Sequence, residues 1–325
     1  MTILYALFAF SVFFPLYTYV IYPLILRCMK EIKYKSDDSN FSVSVIIIGK
    51  KEYASKKIAN IKECSYQNVQ LVVSENYSAG EKEASGNVLI FTDLDTRFAT
   101  ETITELVRPF SDKRVGCVVG QQTNLNGNSA YWKYENSVKE LESRIGCVSG
   151  ATASVFAIRK EDFPCISEDI INIPFYISMS ITEKGMLVVY QQSAKTFETI
   201  TEGGLNFRKH VRDAAGYWQC LKLFPRMFFL HHGSFAYIGH RVIKMFVWLN
   251  MLSLMLVSAL LGIMKNEFMA RLFLIQIIGY LVVYVVGKRK RAHQFGKVCN
   301  LLYYFISLNF AFFITLFEHK GKKYE

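Results

Sequence analysis

A chain of 325 residues in which 51% are hydrophobic and 15% aromatic is more apolar than a typical soluble domain, so membrane-spanning segments are expected. Much of the net charge of +11 flanks the apolar segments, where lipid headgroups are the simplest counter-charge. The basic runs contain no nucleic-acid-binding motif, and the seven cysteines form no C-x-x-C pair. The sequence therefore predicts no nucleic-acid partner, no zinc site and no disulfide framework.

The first apolar segment, residues 3–26, contains no charged residue and is long enough to cross a bilayer. A secretory signal peptide is the alternative, but the segment lacks a basic start and a small-x-small cleavage site. Residues 1–29 are therefore predicted to form a permanent transmembrane anchor.

Strands and helices alternate in the more polar region that follows, residues 30–222. This alternation favours an α/β fold with a mostly parallel sheet covered by helices. In such sheets ligands bind beyond the carboxyl ends of the strands. The predicted strands are residues 41–48, 69–74, 87–93 and 114–120, and the predicted helices are residues 53–64 and 101–110.

The third of these strands ends in two carboxylates, in the stretch VLIFTDLDTRF (residues 88–98). Period-two alternation directs Asp93 and Asp95 to the same side of the chain, where like charges repel unless a cation or a donor intervenes. Mg²⁺ is typically held by one or two carboxylates plus phosphate oxygens, so this pair suffices for a metal that binds a phosphorylated ligand. A solvated strand end without a ligand is the alternative for so short a motif.

Three further apolar segments predict membrane spans in the C-terminal region, residues 242–325. Before them, residues 223–241 are apolar but carry Arg226, His231 and His232, which suits an amphipathic segment lying in the membrane interface. The three predicted spans are residues 245–264, 268–287 and 298–317.

Basic residues near the span ends predict the orientation, because they are retained in the cytoplasm. Arg27, Lys30, Lys33 and Lys35 follow the first span, and the run GKRKR follows the third. Residues 30–222 are therefore expected on the cytoplasmic face. The tail HKGKKYE would then lie outside the cell, although its lysines favour the cytoplasm. The alternative is that the last apolar segment is re-entrant and does not cross the membrane.

The chain resembles the membrane-bound family 2 glycosyltransferases, which include cellulose, hyaluronan and poly-N-acetylglucosamine synthases. Besides FTDLDTRF, the stretches YWKYENSVKELESRIG, SGATASVFAIRK, SED and FRKHVRDAAGYWQCL occur in the order and approximate spacing of that family. The resemblance implies a Rossmann-like nucleotide-diphospho-sugar transferase (GT-A) domain with one N-terminal and about three C-terminal transmembrane helices. It also implies Mg²⁺ or Mn²⁺ as a cofactor.

The resemblance implies roles on the acceptor side of the site. SED ends in Asp169, which matches the catalytic base of the family and would take the proton of the acceptor hydroxyl. From the residues alone, SED is also a helix N-cap with acids in the first turn, and SGAT an ordinary tight turn around a glycine. The residues assigned to the acceptor are Gly150, Ala151, Thr152 and Glu168, with Arg159 as a secondary addition.

The donor side departs further from the family. The usual P-A-Y-N-E is replaced by IGKKE, which keeps Glu52, and the usual S-D-G-S-x-D by SENYSA, with Glu75 in place of the first Asp. Only residues 76–92 separate Glu75 from Asp93, so a helix and strand usually found there are expected to be missing. The resemblance assigns Glu52, Glu75 and Asp93 to the nucleotide sugar, and Asp95 together with Asp93 to the metal.

The Q-x-x-R-W motif of the family is represented by KHVRD, with Lys209 in the Gln place, Arg212 kept and Asp213 in the Trp place. Lys209 and Arg212 are assigned to the donor diphosphate, because a guanidinium can bind two oxygens at once. A solvated basic helix face is the alternative, and for His210 it is preferred. Loss of the Trp removes an aromatic platform for a growing sugar chain, which favours single addition.

Three functions stay open. The first is an inverting hexosyl- or N-acetylhexosaminyltransferase that uses a nucleotide-sugar donor and a lipid-linked or glycan acceptor at the cytoplasmic face of the cell membrane, in polysaccharide or glycoconjugate biosynthesis. The second is a processive polysaccharide synthase, and the third a weakly catalytic nucleotide- or glycan-binding scaffold. Retention of Asp93, Asp95, Asp169 and Arg212 together favours an enzyme. Expected partners of this multi-pass protein are membrane lipids and the components of a polysaccharide assembly complex.

Overall fold

The computed structural model describes residues 1–38, 40–124, 130–198, 207–229, 232–288 and 296–317. His231, most of GKRKR and the tail HKGKKYE lie outside the described residues. The chain divides into two compact units, here called the sheet unit and the helical unit. The sheet unit comprises Leu26–Ile200 and Lys222–Tyr237, and the helical unit comprises Met1–Ile25, Thr201–Leu221 and Ile238–Glu325.

Seven strands of the described residues form one sheet in the order β2-β1-β3-β6-β5-β7-β4. Strand β1 is parallel to β2 and β3, and β5 is parallel to β7, whereas β6 is antiparallel to β3 and β5, and β4 to β7. The expected α/β fold is confirmed, but the sheet is mixed instead of mostly parallel, because β6 enters at the edge where β3 ends. The strands are β1 (Val43–Ile48), β2 (Val69–Ser74), β3 (Val88–Asp93), β4 (Thr96–Phe98), β5 (Val115–Asn124), β6 (Phe156–Arg159) and β7 (Leu187–Glu198).

Both predicted helices of the sheet unit are confirmed, each with a 3₁₀ turn at one end. The turn Lys51–Tyr53 precedes the first, and Arg108–Ser111 follows the second. In chain order the helices are α1 (Thr2–Leu16), α2 (Tyr22–Cys28), α3 (Ser55–Lys62), α4 (Tyr77–Glu83), α5 (Thr102–Val107), α6 (Ala130–Arg144), α7 (Ile173–Glu183), α8 (Phe207–Leu223), α9 (Ser234–Ala236), α10 (Ile243–Met245), α11 (Val247–Ile263), α12 (Glu267–Lys288) and α13 (Gly296–Phe317).

The central strands are buried on both faces, which is why β1 and β3 read as continuous apolar runs. Alternate residues of a strand point to opposite faces. Val45 therefore joins a core that includes Leu106 of α5, whereas its neighbour Ile46 joins a core that includes Ile177 of α7. Helices therefore cover both faces of the central strands.

The helical unit contains α1, most of α8 and the helices α10 to α13. The Trp218 ring nitrogen of α8 donates to the Phe312 carbonyl oxygen of α13 at 3.4 Å, and the Ser11 hydroxyl of α1 donates to Ser253 of α11 at 2.9 Å. In the described residues Thr2–Cys28 and Glu267–Val285 are long and apolar enough to cross a membrane. The helices Ser234–Met245 and Val247–Ile263 are bent relative to each other, and together they make a third span if the pair is treated as one helix. Leu302–Phe317 is a shorter apolar helix. The structure thus supports two or three spans where four were predicted.

Candidate active site

Three parallel strands end side by side, and an acidic residue lies at or after each end. In the register of the sheet, Ile48 of β1 lies beside Ser74 of β2 and Asp93 of β3. Glu52 lies in the 3₁₀ turn after β1 and Glu75 directly follows β2, and both are exposed. Glu52, Glu75 and Asp93 therefore lie on segments that leave the same edge of the sheet, where α/β folds bind ligands.

The short connection expected on the donor side is confirmed. Helix α4 alone lies between β2 and β3. The Asn76 side chain caps it by accepting a hydrogen bond from the Ala79 backbone N–H at 2.7 Å. Tyr77 packs its ring against Phe91 of β3, with centroids 5.2 Å apart, so α4 is tied to the sheet that ends at the candidate site.

The carboxylate pair lies on a tight turn between β3 and β4. The Thr96 hydroxyl donates to the Asp93 carbonyl oxygen at 3.1 Å, which closes the turn. Because the strand ends at Asp93, the expected strand alternation does not continue: Asp93 is half-buried and Asp95 is exposed. Leu94 lies against Gly49, where an added Cβ would approach Leu94 Cδ1 to 2.3 Å and where φ is +150°. The turn thus presents Asp95 to solvent while Leu94 packs on the end of β1.

A buried lysine lies beneath this turn. Lys57 of α3 is 2% exposed, and its Nζ donates to the Thr96 carbonyl oxygen at 2.6 Å and to Thr96 Oγ1 at 3.1 Å. The ammonium group also lies 3.7 Å from the centroid of the Phe98 ring. Burial lowers the pKa of Lys57 to about 7, while the negative charge of Asp93 opposes this shift. A basic group therefore supports the carboxylate pair from inside the protein.

The donor atoms of the turn fit a hard divalent cation shared with a phosphorylated ligand. Asp93 and Asp95 offer carboxylate oxygens, which Mg²⁺ and Mn²⁺ accept. In the part of the chain that the structure describes, no group of three or more His, Cys, Asp or Glu side chains is arranged to hold a metal. One or two carboxylates leave coordination positions open for phosphate oxygens and water. The pair suits a substrate-bound cation and not a closed structural site.

The segment that follows the SGAT loop is hydrogen-bonded to the same end of β3. The Thr92 hydroxyl donates to the carbonyl oxygen of Ser154, two residues after the loop, at 2.8 Å. The Ser154 hydroxyl in turn donates to Gln122 Oε1 of β5 at 2.8 Å, and Thr152 is half-buried. The structure therefore brings SGAT and the carboxylate turn together at one edge of the sheet.

Buried polar residues of two helices fix the SGAT loop. Glu142 of α6 is fully buried and accepts hydrogen bonds from the Ser149 backbone N–H at 2.9 Å and from its hydroxyl at 2.8 Å. The Ala151 backbone N–H donates to the buried Ser178 hydroxyl of α7 at 3.1 Å. Gly150 has φ of +137°, a conformation that favours glycine. The small residues of the loop thus allow a conformation that the surrounding side chains hold.

The SED segment lies before α7 and is exposed throughout. The Ser167 hydroxyl is hydrogen-bonded to the Asp169 carboxylate, and Glu168 is exposed. Helix α7 is capped by Asn172, whose side chain accepts from the Phe175 backbone N–H at 3.3 Å. The alternative interpretation of SED as a helix N-cap is therefore wrong, and the Asp169 carboxylate is accessible from solvent.

The KHVRD stretch lies on α8 in the helical unit. Lys209 and Arg212 are exposed. The solvated position preferred for His210 is wrong, because its ring is half-buried with its centroid 5.1 Å from that of Tyr304. Burial and the neighbouring charge of Lys209 lower the pKa of His210 to about 4, so the imidazole is neutral at neutral pH. Burial raises the pKa of Asp213, against the effect of the nearby basic residues.

The assignment of Arg159 to the acceptor is also wrong. Arg159 pairs with Val88 at the start of β3, so it lies at the opposite edge of the sheet from Asp93. Its guanidinium group donates to backbone carbonyl oxygens of Phe110, Asp112 and Val115.

Sequence reasoning missed the side chains that hold the two loops. Glu142 lies in a stretch singled out only as a motif, and Lys57 lies in a predicted helix to which no site residue was assigned. A signal for Lys57 was present, because it stands four residues before Ile61 and therefore shares the helix face that packs on the sheet.

A carboxylate turn at the end of a parallel strand, joined to a small-residue loop, is the arrangement expected of a GT-A glycosyltransferase. Residues 11–165 match the family described as Glycosyl transferase family 2. This match covers just under half of the chain and, together with the fold, supports a family 2 glycosyltransferase. A comparison with curated protein sequences gave no match.

Comparison with solved structures supports the fold. The chain is similar to mannosyltransferase PcManGT from Pyrobaculum calidifontis in complex with GDP-Man and Mn²⁺, with a TM-score of 0.63 and 13% identity over 93% of this chain and 99% of that chain. GalNAc-T7 with UDP, GalNAc and Mn²⁺ gives a TM-score of 0.36 and 14% identity over 56% of this chain and 50% of that chain. At these identities the likeness to PcManGT concerns the fold.

Proposed function

We propose that the protein is an inverting glycosyltransferase that moves one sugar from a nucleotide-diphosphate sugar to a lipid-linked or glycan acceptor. The observation that carries this proposal is the joining of the carboxylate turn to the SGAT loop, since the Thr92 and Thr96 hydroxyls both contact the Ser154 carbonyl oxygen, at 2.8 and 3.3 Å. A donor-binding turn and an acceptor-binding loop that meet at one edge would hold the two substrates side by side.

On the donor side, Asp95 and Asp93 are proposed to hold Mg²⁺ or Mn²⁺ against the diphosphate. The fold similarity to a mannosyltransferase solved with GDP-Man and Mn²⁺ supports this assignment. When bound, the cation would offset the negative charge that develops on the leaving group. The residues proposed to contact the nucleotide sugar are Glu52, Glu75, Asp93, Lys209 and Arg212.

On the acceptor side, Asp169 is proposed as the general base. The acceptor oxygen attacks the anomeric carbon, its proton passes to the Asp169 carboxylate, and the bond from that carbon to the diphosphate oxygen breaks with its electron pair. Attack opposite the leaving group inverts the configuration at this carbon. Exposure of Asp169 supports the assignment, because a base must reach the hydroxyl of an incoming acceptor. Gly150, Ala151, Thr152 and Glu168 are proposed to line the acceptor.

The proposed setting is the cytoplasmic face of a cell membrane, in polysaccharide or glycoconjugate biosynthesis. The two or three apolar helices and the basic residues beside them support this setting. A cysteine introduced at Asn266, between α11 and α12, is expected to react with a membrane-impermeant reagent in sealed cells, and one at Ser111 is not. Labelling at Ser111 alone would invert the topology.

A scaffold that binds nucleotide without catalysis is the second candidate, favoured by the short connection through α4. The test is nucleotide-sugar hydrolysis and transfer by the detergent-solubilised chain, with a panel of donors, alongside nucleoside-diphosphate binding with and without Mn²⁺. We expect Mn²⁺ to strengthen binding in the parent and in Asp37→Ala, an exposed control, but not in Asp95→Ala. Metal-independent binding that is equal in all three, without transfer, would reject the enzyme and favour the scaffold.

A further inference from the structure

Lys57 occupies a core position on α3. The helix buries Lys57 and Ile61, whereas Lys56 is exposed. Burying an ammonium group costs free energy unless the group is paired and hydrogen-bonded. An apolar side chain would therefore be the ordinary choice at this position, and the partners of Lys57 indicate why a lysine is present.

In the part of the chain that the structure describes, the hydrogen bonds and the ring contact of the Lys57 ammonium group involve the segment that follows the carboxylate pair. Its hydrogen bonds go to the carbonyl oxygen and the hydroxyl of Thr96, the residue directly after Asp95. The ring that it faces belongs to Phe98, two residues further on. The lysine thus connects α3 to the backbone of the turn at the residue next to the exposed carboxylate.

The contacts of Lys57 also determine what the Thr96 hydroxyl can do. That hydroxyl has one proton, and it lies 3.1 Å from the Asp93 carbonyl oxygen, 3.3 Å from the Ser154 carbonyl oxygen and 2.8 Å from Thr92 Oγ1. Because Lys57 donates to Thr96 Oγ1, the hydroxyl proton stays available for the Asp93 or Ser154 carbonyl oxygen. One ammonium group therefore orders both the backbone and the hydroxyl that close the turn.

We propose that Lys57 is a positioning residue for cation binding: by holding Thr96, it fixes the turn so that the Asp95 carboxylate is aligned for the divalent cation of the donor diphosphate. This inference rests on the proposed function, since it assumes a cation at the turn. Lys57 acts through Thr96 and contacts neither donor nor acceptor.

The positioning role of Lys57 and its positive charge predict opposite effects on cation binding when Lys57 is replaced. The ammonium group repels a cation, so its charge alone predicts that Lys57→Met tightens cation binding. Positioning predicts weaker binding, because the turn loses two hydrogen bonds from a charged donor. Met is apolar and unbranched like the lysine stem, and replacing a buried charge by an apolar side chain is often neutral or stabilising. A folded Lys57→Met variant is therefore expected.

The experiment measures the Mn²⁺ concentration that half-saturates GDP or UDP binding to the full chain in detergent, together with thermal unfolding. We expect Lys57→Met to raise this concentration about tenfold, in line with the loss of a charge-assisted hydrogen bond. Thr96→Val should raise it about threefold, because Lys57 keeps the Thr96 carbonyl oxygen as a partner. The controls are Lys56→Met, which removes a neighbouring exposed charge, and Thr102→Val, which removes another buried hydroxyl, bonded to the Lys195 carbonyl oxygen at 2.6 Å.

Unchanged or tighter Mn²⁺ dependence in a folded Lys57→Met variant would overturn the positioning role. If that variant does not fold, equal effects of Thr96→Val and Thr102→Val would overturn it instead. A parent that binds neither GDP nor UDP with Mn²⁺ would reject both this inference and the proposed donor site. If only the positioning role of Lys57 is wrong, the parent still binds the nucleoside diphosphate in a cation-dependent way. The experiment therefore distinguishes an error in this inference from an error in the proposed function.

Discussion

The carboxylate turn after β3 and the SED segment before α7 both carry acids assigned to chemistry, but they are held differently. The turn rests on the buried Lys57, which holds Thr96, and on the packing of Leu94 against the half-buried Gly49. Ser167, Glu168 and Asp169 are all exposed. The first motif is built into the sheet, and the second lies at the surface.

This difference matches the two tasks proposed for the motifs. A cation shared with a diphosphate needs carboxylate oxygens in fixed positions, because the cation favours a defined arrangement of ligands. A general base must instead meet an acceptor that arrives from solution or from the membrane, and its contacts tighten when the substrate is bound. Substitutions in SED should therefore affect transfer more than donor binding, whereas substitutions at residues that contact the diphosphate should affect donor binding as well as transfer.

The largest expected effect is that of Asp169→Asn on sugar transfer. An amide cannot accept the acceptor proton, and a positioned base contributes roughly 10²- to 10⁴-fold to the rate. Donor affinity should be almost unchanged, because Asp169 is assigned to the acceptor. Transfer and nucleoside-diphosphate binding are to be measured side by side.

The matched control for this prediction is Glu161→Gln, which makes the same chemical change at an exposed acid of the 3₁₀ turn Lys160–Asp162. Glu161→Gln should transfer sugar like the parent. Full transfer by Asp169→Asn would remove the proposed base and the proposed contrast between the two motifs.

Arg212→Ala is expected to have a smaller effect that falls on binding as well as on turnover. Loss of a charge-assisted contact to the diphosphate should weaken nucleoside-diphosphate binding about tenfold. Arg208→Ala, an exposed arginine on the same helix, is the control and should bind like the parent. If both variants lose affinity equally, or neither does, Arg212 has no specific contact with the diphosphate and the alternative of a solvated basic face is favoured.

The parts of the fold that follow from local pattern could be predicted from the sequence. Strands β1 and β3 read as apolar runs, and Asp93 could be placed at a sheet edge because it ends such a run. The direction of β6 could not, since it depends on where the chain re-enters the sheet. The three-residue strand β4 is too short to show a period, and β7 contains a polar stretch.

The acids of the candidate site could be predicted from the sequence, but the buried side chains that hold them in place could not. Its acids stand in short motifs, whereas Lys57 and Glu142 act through burial, which only the packed structure reveals. A lysine on a helix is ordinarily exposed. The role of Lys57 beneath the turn depends on its contact with Thr96, which is distant in sequence.

The smallest expected effect is that of Asn172→Ala, and it tests whether the SED segment acts independently of the start of α7. Asn172 caps that helix, so its loss should cost about 1 kcal/mol of stability and lower the melting temperature by about 2–4 °C. Asn172→Asp keeps a capping oxygen and should melt like the parent, because Asn and Asp rank alike at this position. Since Asp169 precedes the cap, Asn172→Ala should retain most of its transfer activity at a temperature well below melting. A loss of transfer as large as that of Asp169→Asn, with the helix still folded by circular dichroism, would show that the orientation of Asp169 depends on the cap, and the surface motif would then be as firmly built into the fold as the carboxylate turn.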